Sequence, residues 1–140
     1  MKILLLPIGK IKSKAVAAIC ADYAKRLNHY IPFEIKECKD EAQLLERLES
    51  SDHFVALDER GDQLNSEALS GFISKHQMRG TKRLVFAIGG PEGFTNDVLK
   101  RADYRLSLSG MTFPHELVQA IILEQLYRAC TILKGEPYHK

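Results

Sequence analysis

Continuous apolar runs, separated by segments of helical periodicity, constrain the fold of this chain most strongly. "KILLLPI" near the start and "RLVFAIG" further along are apolar almost throughout, as strands are when both faces of their sheet are covered. Between the runs, apolar residues recur at helical spacing, for example from Val16 to Tyr30. This alternation predicts an α/β fold, with a mainly parallel sheet and helices on both of its faces.

The size of the chain and its cysteines indicate which class of protein it belongs to. A length of 140 residues suits one domain, so we expect a single domain over residues 1–140. No apolar run is long enough for a membrane span, and the three cysteines show no disulfide or metal pattern. We therefore expect a cytoplasmic protein with buried, reduced thiols, without a bound metal and without membrane contact.

The charged residues are nearly balanced. A net charge of +2 is too small to indicate a nucleic-acid partner by itself. The segment "GKIKSK" nevertheless brings Lys10, Lys12 and Lys14 together. Such a cluster either touches phosphates or is simply a solvated surface, and the sequence leaves both interpretations open.

Three predicted strands end in loops whose residues suggest a ligand. The loops read "LDERG", "GGPEG" and "SGMTFPH", and they follow the third, fourth and fifth strands. The carboxyl ends of parallel strands meet at one edge of a sheet, where folds of this class usually bind their ligands. The sequence therefore predicts a binding site formed by these three loops.

The turn "GGPEG" does not fit two common nucleotide sites. Dinucleotide-binding folds carry GxGxxG after the first strand, whereas this turn follows the fourth. A phosphate loop needs free amides and a lysine, whereas Pro91 has no amide and Glu92 would place a carboxylate against the phosphate. From these residues alone, a neutral or cationic ligand and a purely structural turn both stay open.

The predicted last helix carries apolar residues on two faces. The first face is expected to cover the sheet and consists of Val118, Ile122, Leu126, Ala129 and Leu133. The second face, which a monomer would expose, consists of Leu117, Ile121 and Ile132. We expect this second face to pack against another copy of the chain in a homodimer. A helix enclosed within its own domain is the alternative.

Four motifs, "IGGPEGF", "LSGMTFPHELV", "EQLYRA" and the terminal "PYHK", resemble the RlmH family over essentially the whole chain. Members of that family are SPOUT methyltransferases that act on a pseudouridine of large-subunit ribosomal RNA. The resemblance implies a C-terminal trefoil knot, a homodimer, and S-adenosylmethionine bound between the knot loops near the subunit interface. It also implies methylation of N3 of a pseudouridine in 23S ribosomal RNA, on assembled ribosomes.

The resemblance further implies which residues form the site. The cofactor-binding residues are Leu57, Gly89, Leu108, Ser109, Gly110, Met111, Thr112 and Phe113. The residues on the catalytic and substrate side are His115, Arg128, Tyr138 and His139. An aromatic side chain can stack on an unpaired base and an arginine can hold its phosphate, which is how RNA loops are commonly recognised. Either histidine is a candidate to accept the proton that the base must lose.

One position departs from the family pattern. Gln119 stands where family members commonly carry an arginine, and Lys134 and Lys140 are the cations expected to compensate for it. Two alternatives to the implied function stay open. One is a methyltransferase of the same superfamily that acts on transfer RNA, and the other is a non-catalytic module that binds the cofactor or the ribosome.

Overall fold

The computed structural model describes residues 1–139, which form one five-stranded sheet with helices on both faces. The strands are β1 (Lys2–Pro7), β2 (Phe33–Ile35), β3 (His53–Gln63), β4 (Arg83–Ile88) and β5 (Tyr104–Ser107). The helices are α1 (Lys14–Asn28), α2 (Glu41–Arg47), α3 (Ser66–Met78), α4 (Asn96–Arg101), α5 (His115–Leu133) and a terminal 3-10 helix (Pro137–His139). All pairings are parallel in the order β2-β1-β4-β3-β5, which confirms the predicted class.

Alternate residues of each strand face the two sides of the sheet, because side chains along a strand point alternately up and down. Ile3 packs in a core layer with residues of α1, α3 and α5. Its neighbour Leu4 packs in a second layer with residues of α2 and α4. Both layers are fully buried at these positions, which explains why the strand "KILLLPI" is apolar almost throughout.

Three of the α-helices begin with a side-chain cap, from Ser13, Asp40 or Asn65. The Ser13 hydroxyl accepts a hydrogen bond from the Val16 amide over 3.3 Å and begins α1. Thr95 is the N-cap residue of α4, but its side chain does not bond to that helix. The amide and the hydroxyl of Thr95 both donate hydrogen bonds to the carboxylate of Glu41. These two bonds tie the start of α4 to α2.

Strand β3 is longer than the sequence predicts, since it continues past Asp58 to Gln63. Its register against β5 shifts, so that Leu57 and Asp62 both lie opposite Leu106. The residues in between form a bulge beside β5. A Cβ atom at Gly61 would lie 2.5 Å from the carbonyl oxygen of Arg105, so a residue without a side chain is needed there.

Helix α5 is largely enclosed by its own domain. Ile122, Leu126 and Ala129 are fully buried as predicted, whereas Leu133 is 40% exposed because the helix ends there and the chain turns at Gly135. Of the second apolar face, Leu117 is exposed, and the two isoleucines are only half-buried. The alternative of an enclosed helix therefore holds for much of α5, and the homodimer stays a prediction.

The three cysteines, Cys20, Cys38 and Cys130, are free and buried, as predicted. Burial raises the pKa of the Cys130 thiol to about 11. None of the helices within residues 1–139 has the length and apolar character needed to cross a bilayer. Over the same residues, no group of three or more His, Cys, Asp or Glu side chains is arranged to hold a metal ion.

Candidate active site

A cleft of about 370 Å³ opens at the carboxyl edge of the sheet, between the bulged part of β3 and the loops that follow β4 and β5. This volume lies within the range of roughly 300–1,000 Å³ that is usual for small-molecule sites. Seven of the eight predicted cofactor-binding residues line it, namely Leu57, Gly89, Leu108, Ser109, Met111, Thr112 and Phe113. Gly110 does not, and faces the side chain of Gln63, whose Nε2 would lie 3.5 Å from a Cβ atom at position 110.

The glycine turn after β4 is both structurally required and part of the cleft wall. The Gly93 amide donates to the Gly90 carbonyl over 2.9 Å, and Gly93 adopts a left-handed φ of 79°. A Cβ atom at Gly89 would lie 3.0 Å from the carbonyl carbon of Gly93. The close approach of these two segments leaves bare backbone facing the cleft. The two interpretations of the turn that the sequence left open are therefore compatible with each other.

The loop after β5 is held in one shape by its own serines. The Ser107 hydroxyl donates to the Ser109 carbonyl, and the Ser109 hydroxyl accepts from the Met111 amide, both over 3.0 Å. These bonds fix the wall of the cleft before any ligand binds. Met111, which lines the cleft, is 74% exposed, so most of a large apolar side chain is in contact with solvent.

The cleft carries more negative than positive charge. Asp58, Glu59 and Glu92 line it, and Arg60 is the cation in the same lining. Carboxylates repel a phosphate group and attract a cation. The electrostatics therefore favour a cationic ligand with an apolar part, and they disfavour a nucleotide phosphate.

His115 begins α5 at the inner end of the cleft. Its Nε2 atom lies 2.9 Å from the carbonyl oxygen of Ile8. Because a carbonyl only accepts, Nε2 carries the proton, and Nδ1 of a neutral ring is left free to accept one. The adjacent Glu116 accepts a hydrogen bond from the Ser13 amide over 3.0 Å. Backbone amides of Ser13 and Lys12 hold the pKa of this carboxyl below its usual value.

Arg128 and Tyr138 lie in a different place, on the surface where the terminal 3-10 helix meets α5. Arg128 Nη2 donates to Glu124 over 2.7 Å, and the Tyr138 hydroxyl donates to the same carboxylate over 2.8 Å. Burial, together with hydrogen bonds to Tyr23 and Glu124, raises the pKa of the Tyr138 hydroxyl. His139 is exposed on the same terminal helix. We call Glu124, Arg128, Tyr138 and His139 the tail cluster.

The tail cluster is far from the cleft of its own chain. Thirteen residues of α5 separate His115 from Arg128, and a rise of 1.5 Å per residue makes this about 20 Å. None of Arg128, Tyr138 and His139 lines the cleft. Within one chain, the structure therefore brings His115 to the predicted cofactor residues and leaves the other three predicted catalytic residues apart.

A family model described as "Predicted SPOUT methyltransferase" matches residues 1–139. Proteins named ribosomal RNA large subunit methyltransferase H are similar along their whole length. That of Christiangramia forsetii is 47% identical, with 99% of each chain covered. That of Trichlorobacter lovleyi is 43% identical over 99% of each chain, and that of Clostridium kluyveri is 37% identical over 100% of each.

The chain belongs to the RlmH family of SPOUT methyltransferases. Solved structures agree on the fold. A TrmH/SpoU tRNA modifying enzyme of A. aeolicus aligns with a TM-score of 0.52 at 13% identity, over 96% of this chain and 77% of that one. A solved structure whose description refers to 2-OH methylation of C/U34 on tRNA aligns with a TM-score of 0.53 at 16% identity. The alignment covers 96% of this chain and 97% of that one. The C-terminal trefoil knot implied by the resemblance stays a prediction.

Several cleft residues of this RlmH family member were not predicted individually. Asp58, Glu59 and Arg60 line the cleft, although the sequence analysis took only Leu57 from the loop "LDERG". The sequence analysis predicted a binding loop at "LDERG", and the structure places these residues in the bulged part of β3 beside the cleft. The bond from His115 to Ile8, by contrast, had no sequence signal.

The expected compensation for Gln119 is not supported by the geometry. Gln119 is buried, with 8% of its surface exposed. Lys134 follows the far end of α5, fifteen residues and about 22 Å along the helix axis from Gln119. Its charge is therefore not placed beside Gln119. Lys140, the other candidate, lies outside the described residues.

Proposed function

We propose that this protein is a cytoplasmic, single-domain, S-adenosylmethionine-dependent methyltransferase that methylates N3 of a pseudouridine in 23S ribosomal RNA on assembled ribosomes. The observation that carries the proposal is its full-length similarity, at 47% identity, to a protein named ribosomal RNA large subunit methyltransferase H. The chemistry of the cleft supports the choice of cofactor.

The residues of the cleft fit this cofactor. Leu57, Met111 and Phe113 supply apolar surface for an adenine ring, and the glycine turn leaves backbone exposed to its edge and to the ribose. The carboxylates that line the cleft suit the positive charges of a sulfonium and an ammonium group. When bound, the cofactor supplies an electrophilic methyl group, which passes from sulfur to N3 and leaves S-adenosylhomocysteine.

The proton on N3 must be removed in the same reaction. His115 lines the cleft, and its Nδ1 is the ring atom left free to accept a proton, since Nε2 is bonded to the Ile8 carbonyl. His139 is the second candidate, and it lies in the tail cluster. A general base contributes roughly 10²–10⁴-fold to the rate of such a reaction, and alignment of the pseudouridine with the methyl group is a second source of rate enhancement.

The distance between cleft and tail cluster supports a homodimer. Arg128 lies about 20 Å from His115 along α5, and Tyr138 is bonded to Glu124 of the same helix. We therefore propose that Arg128, Tyr138 and His139 serve the cleft of a second copy. Met111 is 74% exposed and Leu117 is 40% exposed, both at the cleft end of α5. A partner copy would cover this apolar surface. The mass of the protein in solution tests this point, and a monomer would contradict it.

Comparison of three acceptors tests the proposed substrate. Methyl transfer is measured with ribosomes lacking the modification, with isolated ribosomal RNA and with bulk transfer RNA. We expect transfer to ribosomes to be much faster than to either free RNA, because a chain with a net charge of +2 holds free RNA weakly. Equal rates on ribosomes and isolated ribosomal RNA would overturn the choice of assembled ribosomes. Transfer to transfer RNA alone would favour the alternative acceptor.

A further inference from the structure

We infer that the loop between β1 and α1 is a phosphate-binding surface for the substrate RNA, with Lys10, Lys12 and Lys14 as the side chains that hold its backbone. We call residues 9–14 the lysine loop. The inference rests on the proposed function, because it assigns the surface through which the same site holds its RNA.

The lysine loop lies beside the cleft. The Ile8 carbonyl accepts from His115 Nε2 over 2.9 Å, and a Cβ atom at Gly9 would lie 3.8 Å from the same nitrogen. At the other end of the loop, the Ser13 amide donates to Glu116 over 3.0 Å. Strand β1 is also the neighbour of β4, whose glycine turn lines the cleft. Both ends of the loop are therefore fixed to the residues that begin α5 at the cleft.

The charges of the loop are available to a ligand. Lys10, Lys12 and Lys14 are exposed, and none forms an ion pair within residues 1–139. The nearest acid, Glu116, is engaged by backbone amides of the loop. An ammonium group on a flexible stem presents three donors, which suits the variable geometry of phosphates on an unpaired strand.

The charge of the cleft makes such a surface necessary. Carboxylates outnumber cations in its lining, so an RNA backbone that enters it is repelled. A base can be inserted into the cleft only if its flanking phosphates are held outside. The lysine loop is a group of three unpaired cations at the carboxyl edge, where those phosphates must pass.

A second groove, which runs along β5 between the bulge of β3 and the end of α4, is a weaker candidate. Arg60, Lys100 and Arg105 border it, but Asp62 and Asp103 border it as well. The Arg105 guanidinium also donates to the Leu99 carbonyl over 3.4 Å, which ties it to the protein. The positive charge of this groove is therefore largely offset, whereas that of the lysine loop is not.

The test compares two triple variants with the same loss of charge. The first is Lys10→Gln, Lys12→Gln, Lys14→Gln, which keeps the loop because its fixed contacts use backbone atoms and Glu116. The control is Lys25→Gln, Lys75→Gln, Lys82→Gln. Those three lysines are exposed at the last turns of α1 and α3 and just before β4, which places them at the opposite edge of the sheet. Thermal unfolding checks that both variants fold.

The readout is kcat/KM for ribosomes lacking the modification as a function of KCl concentration. Each phosphate contact with a single strand contributes roughly 0.7 to the slope of log(kcat/KM) against log[salt], so we expect the lysine-loop variant to lose about 2 from that slope. Between 50 and 200 mM KCl, the fold-decrease in kcat/KM of the wild-type protein is then about 16 times that of the variant. We expect the salt slope of the control variant to equal that of wild-type protein, and the affinity of both variants for S-adenosylmethionine to stay unchanged.

The outcomes separate this inference from the proposed function. If wild-type protein methylates the ribosomes and the salt slope of the variant is unchanged, the inference is wrong and the function stands. An equal loss of slope in the control also overturns the inference, since the effect is then one of net charge. If wild-type protein binds S-adenosylmethionine but transfers no methyl group to the ribosomes, the proposed function fails and this inference fails with it.

Discussion

His115 donates a hydrogen bond from Nε2 to the carbonyl oxygen of Ile8 over 2.9 Å, although 107 positions separate the two residues in the sequence. The bond joins the end of β1 to the start of α5. The bond fixes the Nε2 side of the imidazole ring to the backbone, and it thereby also sets the orientation of the Nδ1 side. This contact explains how a helix that begins after a long loop presents its first residue to the cleft.

Replacement of His115 separates its structural role from its chemical role. His115→Ala leaves the half-buried Ile8 carbonyl without its donor and is expected to lower the free energy of unfolding by about 1 kcal/mol, as well as the rate of methyl transfer. In His115→Gln the amide nitrogen takes the place of Nε2, but no atom replaces Nδ1. We expect recovery of stability in urea denaturation without recovery of kcat. Full kcat in the glutamine variant would remove His115 as proton acceptor.

The bulge of β3 depends on one glycine. Gly61→Ala would place a methyl group 2.5 Å from the Arg105 carbonyl oxygen, and neither backbone segment can move without breaking the pairing of β3 with β5. We expect a loss of about 2 kcal/mol in the free energy of unfolding. Gly71→Ala is the matched control, because that glycine lies within α3 with open space around its Cα, and its replacement should stabilise by roughly 0.5–1 kcal/mol. A Gly61→Ala protein as stable as wild type would refute the close approach.

A mixing experiment tests whether the tail cluster serves the cleft of a second copy. His115→Ala damages the cleft and His139→Ala damages the tail, so each variant alone is expected to be nearly inactive. In a mixed dimer, one cleft is intact and receives an intact tail from the other copy. An equal mixture should therefore recover about one quarter of wild-type activity, because half of the dimers are mixed and each has one complete site. If each tail served its own cleft, that recovery would be absent.

A half-buried histidine, His53, and a buried one, His76, predict a loss of stability in mild acid. The rings of His53 and His76 lie 4.1 Å apart between centroids, and Nε2 of His53 is buried without a partner among the described residues. Burial lowers the pKa of both below the ordinary 6.5. The unfolded chain therefore binds more protons, so stability is present above pH 6.5 and is lost as the pH falls below it. Urea denaturation between pH 7 and pH 5 should show this fall, and His53→Gln combined with His76→Gln should reduce it. An equal slope in both proteins would exclude these histidines.

The sheet was predictable because its signals are local. The alternation of Ile3 and Leu4 between two core layers follows from a strand that is apolar on both faces. The loops of the cleft could be found for the same reason, since each follows directly on a predicted strand. Local patterns therefore located the three segments of the cleft, and the family resemblance selected the seven cofactor-binding candidates that line it.

The features that could not be predicted depend on contacts between distant parts of the chain. A helical projection gives the direction of the Leu133 side chain around α5, but it does not show that the helix ends at that residue. The exposure of Leu133 was therefore not predicted. The bulge at Gly61 requires knowledge of the Arg105 carbonyl on a neighbouring strand. The separation of His139 from the cleft can be recognised only from the three-dimensional path of α5 and of the terminal 3-10 helix.

Identification of the methylated nucleoside tests the central claim most directly. Ribosomes lacking the modification are incubated with radiolabelled S-adenosylmethionine and the protein, and their RNA is digested to nucleosides. We predict label in N3-methylpseudouridine from the large-subunit RNA. Phe113→Ala should reduce this label in proportion to weaker cofactor binding, whereas Leu45→Ala, outside the cleft, should not. Label in a different nucleoside, or no label while the cofactor still binds, would contradict the proposed function.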